Sequence, residues 1–154
     1  MKKKFMDAFM TCAETFSKLS TARRLKVGAI VVKDDRIISI GYNGMPSGWD
    51  NCCEDEILVP NYSWSDGVSY DVTLKTKPEV LHAEANAITK LARCNESGAG
   101  ASIFITHAPC IECAKLIYQS GITEVYYRDE YRNDSGIAFL ERSGIKVAHN
   151  SAPQ

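Results

Sequence analysis

The chain has 154 residues, of which 45% are hydrophobic, and a formal net charge of -1. This is enough apolar material for one sizeable core and too little length for two ordinary domains, and the balanced charge gives no global positive field for long nucleic acid. No apolar run approaches the roughly 18 residues of a membrane span, and the start Met-Lys-Lys-Lys-Phe-Met-Asp lacks the apolar region of a signal peptide. We therefore expect one domain over residues 1–154, cytoplasmic, with neither a membrane nor long nucleic acid as a partner.

The first part of the chain predicts a helix and a β-hairpin. Apolar residues recur at helical spacing from Phe5, which favours an amphipathic helix that ends near Ser20. Two β-branched runs follow at 26–32 and 37–42, and the polar residues between them favour a hairpin of two strands.

A polar stretch of weak periodicity runs from about residue 45 to about residue 78. Structureless loops of that length are uncommon inside compact domains. We therefore expect an insertion that has a function or partial order of its own.

The remainder alternates helix and strand. The patterns predict helices at about 79–94, 111–119 and 135–143, and strands at 101–106, 124–127 and 145–148. Such alternation implies right-handed crossovers and parallel strands. The expected fold class is α/β, with three α/β/α layers: a mixed sheet of about five strands, made of a leading hairpin and then parallel units, flanked by helices on both faces.

Two short motifs carry the chemistry. His82-Ala83-Glu84 lies near the start of one predicted helix, and Pro109-Cys110-Ile111-Glu112-Cys113 lies where a strand passes into the next helix. A catalytic zinc ion takes three protein ligands and keeps a fourth position open for water, and His82, Cys110 and Cys113 supply that number. The two cysteines are three residues apart and so share a helix face, where the helix N-terminus favours their thiolates.

Glu84 lies beside this ligand set without being needed to complete it. It is therefore available to move protons between the zinc-activated water, the ring nitrogen of a base and the departing ammonia. The pairing of His-x-Glu with Pro-Cys-x-x-Cys is the signature of zinc-dependent deaminases. A cysteine and histidine cluster that holds a purely structural zinc ion, or no metal, is the competing interpretation.

With these motifs the sequence resembles the deoxycytidylate (dCMP) deaminase family, within the cytidine deaminase superfamily, from about Leu19 to Val147. Two further segments carry the resemblance: Val27-Gly28-Ala29-Ile30-Val31, and Gly41-Tyr42-Asn43-Gly44-Met45-Pro46-Ser47-Gly48. The resemblance implies a cytidine-deaminase-like fold, one catalytic zinc ion (Zn2+) per chain, and hydrolysis of dCMP to dUMP and ammonia, which supplies dUMP for thymidylate synthesis. It also implies substrate contacts from Asn43 to the deoxyribose, from Ala83, and from Tyr131 to the monophosphate.

The resemblance further implies regulation and assembly. Family members are typically hexamers that dCTP activates and dTTP inhibits, and Mg2+ accompanies the triphosphate at a site apart from the zinc. The cationic cluster before the first predicted strand and the glycine-rich segment after the second are the candidates for that effector site: Arg23, Arg24, Lys26, Gly41, Tyr42 and Gly44. A solvated basic turn and ordinary turn glycines would explain the same residues.

Other histidines and cysteines receive smaller roles. His107 stands close to the metal motif, where it could bear on the substrate phosphate or on the shape of the loop. Some relatives carry a second zinc ion on the insertion, and Cys52-Cys53 falls there, but histidine is missing from 51–81, so we expect no second site. Cys12 and Cys94 are expected to be buried thiols.

Three other functions use similar residues. A base within nucleic acid, such as a tRNA adenosine, could be deaminated by the same metal core, although the acidic segment 50–56 argues mildly against a polymer. Free cytidine or deoxycytidine differs from the favoured substrate by one phosphate. A zinc protein without catalysis would use the cluster only to support a binding surface.

Overall fold

The computed structural model describes residues 1–63, 65 and 67–151, so residues 64 and 66 of the predicted insertion and 152–154 of the predicted domain lie outside it. The described elements, in chain order, are α1 (Lys3–Ser17), β1 (Gly28–Lys33), β2 (Arg36–Tyr42), β3 (Glu54–Ser63), β4 (Gly67–Thr76), α2 (Ala83–Leu91), β5 (Ser102–His107), α3 (Ile111–Gln119), β6 (Glu124–Asp129), α4 (Ser135–Arg142) and β7 (Lys146–His149).

Five strands form one mixed sheet in the order β2-β1-β5-β6-β7. β1 is antiparallel to both β2 and β5, whereas β5, β6 and β7 run parallel to one another. The predicted leading hairpin followed by parallel units is confirmed. β1 joins the two parts of the sheet.

Helices cover both faces of this sheet, because successive residues of a strand point to opposite sides. On one face α1 packs Met10 and Ala13 against Ile30, Phe104 and Tyr126. On the other face α2, α3 and α4 cover the strands, with these members of one buried cluster: Ala29, Val31, Ala87, Ile103, Ile105, Ile117, Val125 and Leu140. The three predicted layers are confirmed.

The predicted insertion contains a long two-stranded hairpin outside the main sheet. β3 and β4 pair in register from Glu54 and Thr76 at the base to Ser63 and Gly67 near the tip. Large apolar side chains on it are exposed to solvent: Ile57, Leu58, Val59, Tyr62, Val68, Tyr70 and Val72. Because both of its faces are solvated, no apolar alternation marks these strands in the sequence.

Several predicted ends shift. α1 ends at Ser17 rather than near Ser20, and α2 begins at Ala83 rather than at about residue 79. The later start has a clear cause: Leu81 donates to Gly44 O (2.9 Å) and accepts from Gly44 N (3.1 Å), so the chain is still extended at residue 81. Cys94 lies beyond α2 and is exposed, so the prediction of a buried thiol is wrong there, whereas Cys12 is half-buried. Among the described residues, we find no helix with the length and apolar character needed to cross a membrane.

Candidate active site

Two helix N-termini bring the predicted zinc ligands together. His82 is the N-cap residue of α2, Cys110 is the N-cap residue of α3, and Cys113 lies in the first turn of α3. His82 Nδ1 lies 3.6 Å from Cys110 Sγ and 3.4 Å from Cys113 Sγ, and the ligand atoms all fall within 4.8 Å of one another. Zinc–nitrogen bonds of about 2.0 Å and zinc–sulfur bonds of about 2.3 Å at a tetrahedral angle place nitrogen and sulfur about 3.5 Å apart. The three side chains therefore fit a tetrahedral zinc ion that keeps its fourth position open.

Electrostatics at the helix ends favour the ligand forms of the thiols. Hydrogen bonds from Cys113 and then from His82 lower the pKa of Cys110 to about 3. The same cysteine pair raises the pKa of Cys113, because one proton is shared between the two sulfur atoms. The hydrogen bond to Cys110 also raises the pKa of His82. Thiolate and imidazole are the ligand types that zinc prefers.

Close packing of α4 holds the metal loop in place. Gly136, the second residue of α4, lies against the backbone of Pro109 and Cys110, and a Cβ there would meet Pro109 O and approach Cys110 C to 2.9 Å. Only glycine allows this approach. Pro109 precedes the N-cap of α3, so it stands just outside the helix start that it was expected to begin.

Glu84 is the buried acid of the site. It is the second residue of α2 and only 4% exposed. Burial raises the pKa of its carboxyl to about 7, because an apolar setting disfavours the charged form. A carboxyl group with a pKa near neutrality can both accept and return a proton, as general acid–base catalysis requires.

The metal cluster opens into a pocket of about 420 Å³, a volume suited to a small molecule. At one end are His82, Glu84 and Cys110. Elsewhere the wall includes Arg24, Asn43, Glu54, Thr76, Ala83, His107, Tyr131 and Arg132. The pocket thus joins an acid–base end to a surface that carries two guanidinium groups.

The three residues predicted to bind substrate all line this pocket. Asn43 Oδ1 accepts from Val27 N (2.8 Å) and its Nδ2 donates to Leu25 O (2.8 Å), which fixes its side chain between two loops. The Tyr131 hydroxyl accepts a hydrogen bond from Arg132 Nη2 (3.1 Å), so its own proton remains available to a ligand. Ala83 is fully buried at the start of α2.

The six residues predicted to bind an effector are not brought to one place. Among the described residues, only Arg24 of the six lines the main pocket, where its Nη1 donates to Thr76 Oγ1 (3.1 Å). Arg23 instead forms an exposed ion pair with Glu56 (2.7 Å), and Lys26 is exposed. Tyr42 accepts a hydrogen bond at its backbone oxygen from Asn86 Nδ2 (3.0 Å).

Gly41 has a structural reason that differs from the predicted one. It is buried beneath α2, and a Cβ there would meet Ala83 O and approach Ala87 N to 2.6 Å. Its lack of a side chain lets the helix that carries His82 and Glu84 approach the sheet. Gly44, by contrast, has open space where a Cβ would stand.

Sequence reasoning missed Glu54, Thr76 and Arg132. Arg132 could have been noticed as a cation adjacent to Tyr131, but the other two lie on the unpredicted hairpin and no local signal marks them. His107 was noticed, and it lines the pocket half-buried, with Nδ1 3.1 Å from Thr106 Oγ1 and Nε2 3.7 Å from Asp129.

A mixed sheet whose helix N-termini direct one imidazole, two thiols and a buried carboxyl group into one pocket defines an α/β enzyme of the deaminase class. The model of the cytidine and deoxycytidylate deaminase zinc-binding region matches residues 3–129. The chain belongs to this family, whose deoxycytidylate deaminases are hydrolases.

Individual relatives agree with this assignment. The dCMP deaminase from cyanophage S-TIM5, solved in complex with dCMP and dUMP, is 44% identical, with a TM-score of 0.81 over 97% of this chain and 98% of that one. Human deoxycytidylate deaminase is 36% identical over 92% of this chain and 74% of its own length. ComE operon protein 2 of Bacillus subtilis is also 36% identical, over 90% of this chain and 67% of its own length.

Proposed function

We propose that the chain, acting as a single catalytic domain in the cytoplasm, hydrolyses dCMP to dUMP and ammonia and so supplies dUMP for thymidylate synthesis. The observation that carries the proposal is one pocket that joins the His82, Cys110 and Cys113 cluster and Glu84 to the guanidinium groups of Arg24 and Arg132. The names of the cyanophage and human relatives support the choice of substrate.

The metal end of the pocket provides the hydrolytic chemistry. His82, Cys110 and Cys113 would hold one zinc ion, which as a Lewis acid makes water a competent nucleophile near neutral pH. Glu84 lies next to this cluster and is shielded from solvent. Its carboxylate accepts a proton from the attacking water and returns it to the pyrimidine ring nitrogen, and a second transfer lets the exocyclic amine leave as ammonia.

The cationic end of the pocket accounts for the monophosphate. A nucleotide phosphate is a dianion that only accepts hydrogen bonds, and guanidinium groups bind it with charge-assisted bonds. Arg24 and Arg132 supply the cations, and the free hydroxyl proton of Tyr131 supplies a neutral donor. Free nucleosides lack a group to match these donors, which is why we favour the monophosphate over cytidine and deoxycytidine.

The decisive experiment measures ammonia release by zinc-loaded protein from dCMP, deoxycytidine, CMP and a tRNA substrate. We expect rapid turnover of dCMP, with Glu84→Gln retaining zinc but losing at least about 100-fold in kcat, the usual range for removing a general acid–base group. Equal turnover by Glu84→Gln would favour a zinc site without catalysis, and preference for another substrate would refute dCMP.

We also propose a homo-oligomer, most simply the hexamer typical of the family. An isolated two-stranded hairpin is only marginally stable in water, and a large exposed apolar patch is typical of a protein interface. Leu58 and Tyr70 are 64% and 63% exposed on the hairpin. Light scattering should show that Leu58→Glu lowers the assembly mass, whereas Leu19→Glu, at a site 56% exposed just beyond α1, should not. A wild-type monomer would contradict the proposal.

Regulation by dCTP as activator and dTTP as inhibitor, each with Mg2+, completes the proposal. It is supported by the family resemblance of the segment from Gly41 to Gly44 and by the exposed cations Arg23 and Lys26. Rates measured against dCMP concentration should shift in opposite directions with the two triphosphates. Rates that respond to neither effector would refute this part of the proposal.

A further inference from the structure

Glu54 is a second buried carboxyl group in the pocket, contributed by the hairpin rather than by the metal loops. It is the first residue of β3 and stands opposite Thr76 at the hairpin base. Its side chain lines the pocket, and the residue is only 3% exposed. Neither catalysis nor phosphate binding uses it.

The hydrogen bonds of Glu54 leave half of its carboxylate without a described partner. Oε1 accepts from Arg23 N (3.0 Å) and from Arg24 N (3.2 Å). Across residues 1–63, 65 and 67–151, no hydrogen bond is found for Oε2. Buried carboxylates are costly unless their oxygen atoms accept hydrogen bonds. A ligand that fills the pocket can supply the missing donor.

The nearby arginine side chains do not fill this role. Arg23 Nη1 bonds Glu56, and Arg24 Nη1 bonds Thr76. The two N–H groups therefore fix Glu54 against the chain between α1 and β1, without a guanidinium group across the carboxylate. The charge at Oε2 remains directed to a donor on the ligand.

The chemistry of a deoxynucleotide restricts what that donor is. The phosphate only accepts hydrogen bonds and is repelled by a carboxylate. The exocyclic amine belongs at the metal end, where it leaves next to Glu84, and none of the hydrogen bonds described links Glu54 to that cluster. The remaining donor on dCMP is the 3′-hydroxyl of its sugar.

Asn43 offers a matching contact on the same wall. Its Oδ1 is bound to Val27 N, and its Nδ2 uses one hydrogen on Leu25 O, which leaves the second amide hydrogen for a ligand. A hydroxyl placed between the two residues accepts from Asn43 and donates to Glu54.

We infer that Glu54 is a specificity-determining residue that accepts a hydrogen bond from the sugar 3′-hydroxyl of the substrate. This role rests on the proposed function. It requires that a nucleotide without the 3′-hydroxyl be a poor substrate, and that the defect disappear when the acceptor is removed.

The test is a cycle that combines one protein change with one substrate change. kcat/KM is measured for dCMP and for 2′,3′-dideoxycytidine monophosphate, with the wild type, Glu54→Gln and the matched hairpin variant Glu56→Gln. Removing a hydrogen bond to a charged group costs about 10- to 100-fold. We expect that loss for the dideoxy substrate with the wild type and Glu56→Gln, and less than about 3-fold further loss with Glu54→Gln.

The outcomes separate this role from a structural one. If Glu54 only anchors the Arg23 and Arg24 backbone, Glu54→Gln lowers both rates by the same factor and the full hydroxyl effect persists, which overturns the inference. Unchanged dCMP turnover by a folded Glu54→Gln protein also overturns it. No turnover of dCMP by the wild type overturns the proposed function itself, and this role with it.

Discussion

Gly41→Ala should destabilise the protein and disturb the active site although it adds a single methyl group. The new Cβ would meet Ala83 O and lie 2.6 Å from Ala87 N, both of them backbone atoms of α2 that cannot rotate away. Overpacking of this kind costs about 1–3 kcal/mol, and about 2–4 °C of melting temperature is lost per kcal/mol in a chain of this size. We therefore expect a decrease of about 2–12 °C.

The same displacement must move the groups that α2 carries. His82 caps the helix and Glu84 lies in its first turn, so kcat should fall together with stability. Gly44→Ala is the matched control, because nothing lies within 4 Å of its Cβ position, and it should stay within about 0.5 kcal/mol of the wild type. Urea denaturation and the steady-state rate test both variants. A Gly41→Ala protein as stable and active as Gly44→Ala would refute the packing argument.

Three further predictions follow from the site and its surroundings. Cys113→Ala should reduce bound zinc, measured by atomic absorption, to well below one ion per chain, whereas the exposed Cys94→Ala should keep the ion; equal zinc in both would remove Cys113 from the ligand set. Arg24→Met should lower kcat/KM for dCMP by about 10- to 100-fold while leaving deoxycytidine unchanged, because it removes a charged phosphate contact; Arg23→Met is the control, and equal losses on both substrates would contradict phosphate binding. Glu14→Ala should cost about 1–3 kcal/mol in urea denaturation, since it leaves the largely buried Arg128 without its 2.8 Å partner; Asp7→Ala, which breaks the ion pair with exposed Lys3, should cost less than about 1 kcal/mol, and equal effects would contradict this explanation.

The sheet and its helices could be predicted because their patterns are local. β1 and β5 are almost fully buried, and the helices between the parallel strands have apolar positions at helical spacing. The β3–β4 hairpin has neither signal, since its large apolar side chains are exposed on both faces. The start of α2 also escaped prediction, because a long-range pair between Gly44 and Leu81 keeps the chain extended there.

The sequence by itself determined the metal-ligand candidates and the candidate proton shuttle. His82 and Glu84 are two residues apart, Cys110 and Cys113 are three apart, and each pair begins a helix, so short-range geometry fixes each half. Only the tertiary structure decided what surrounds them. Arg24, Glu54 and Arg132 reach one pocket through contacts between segments tens of residues apart, and residue spacing alone cannot encode such contacts because they depend on how loops and the hairpin pack against the finished sheet.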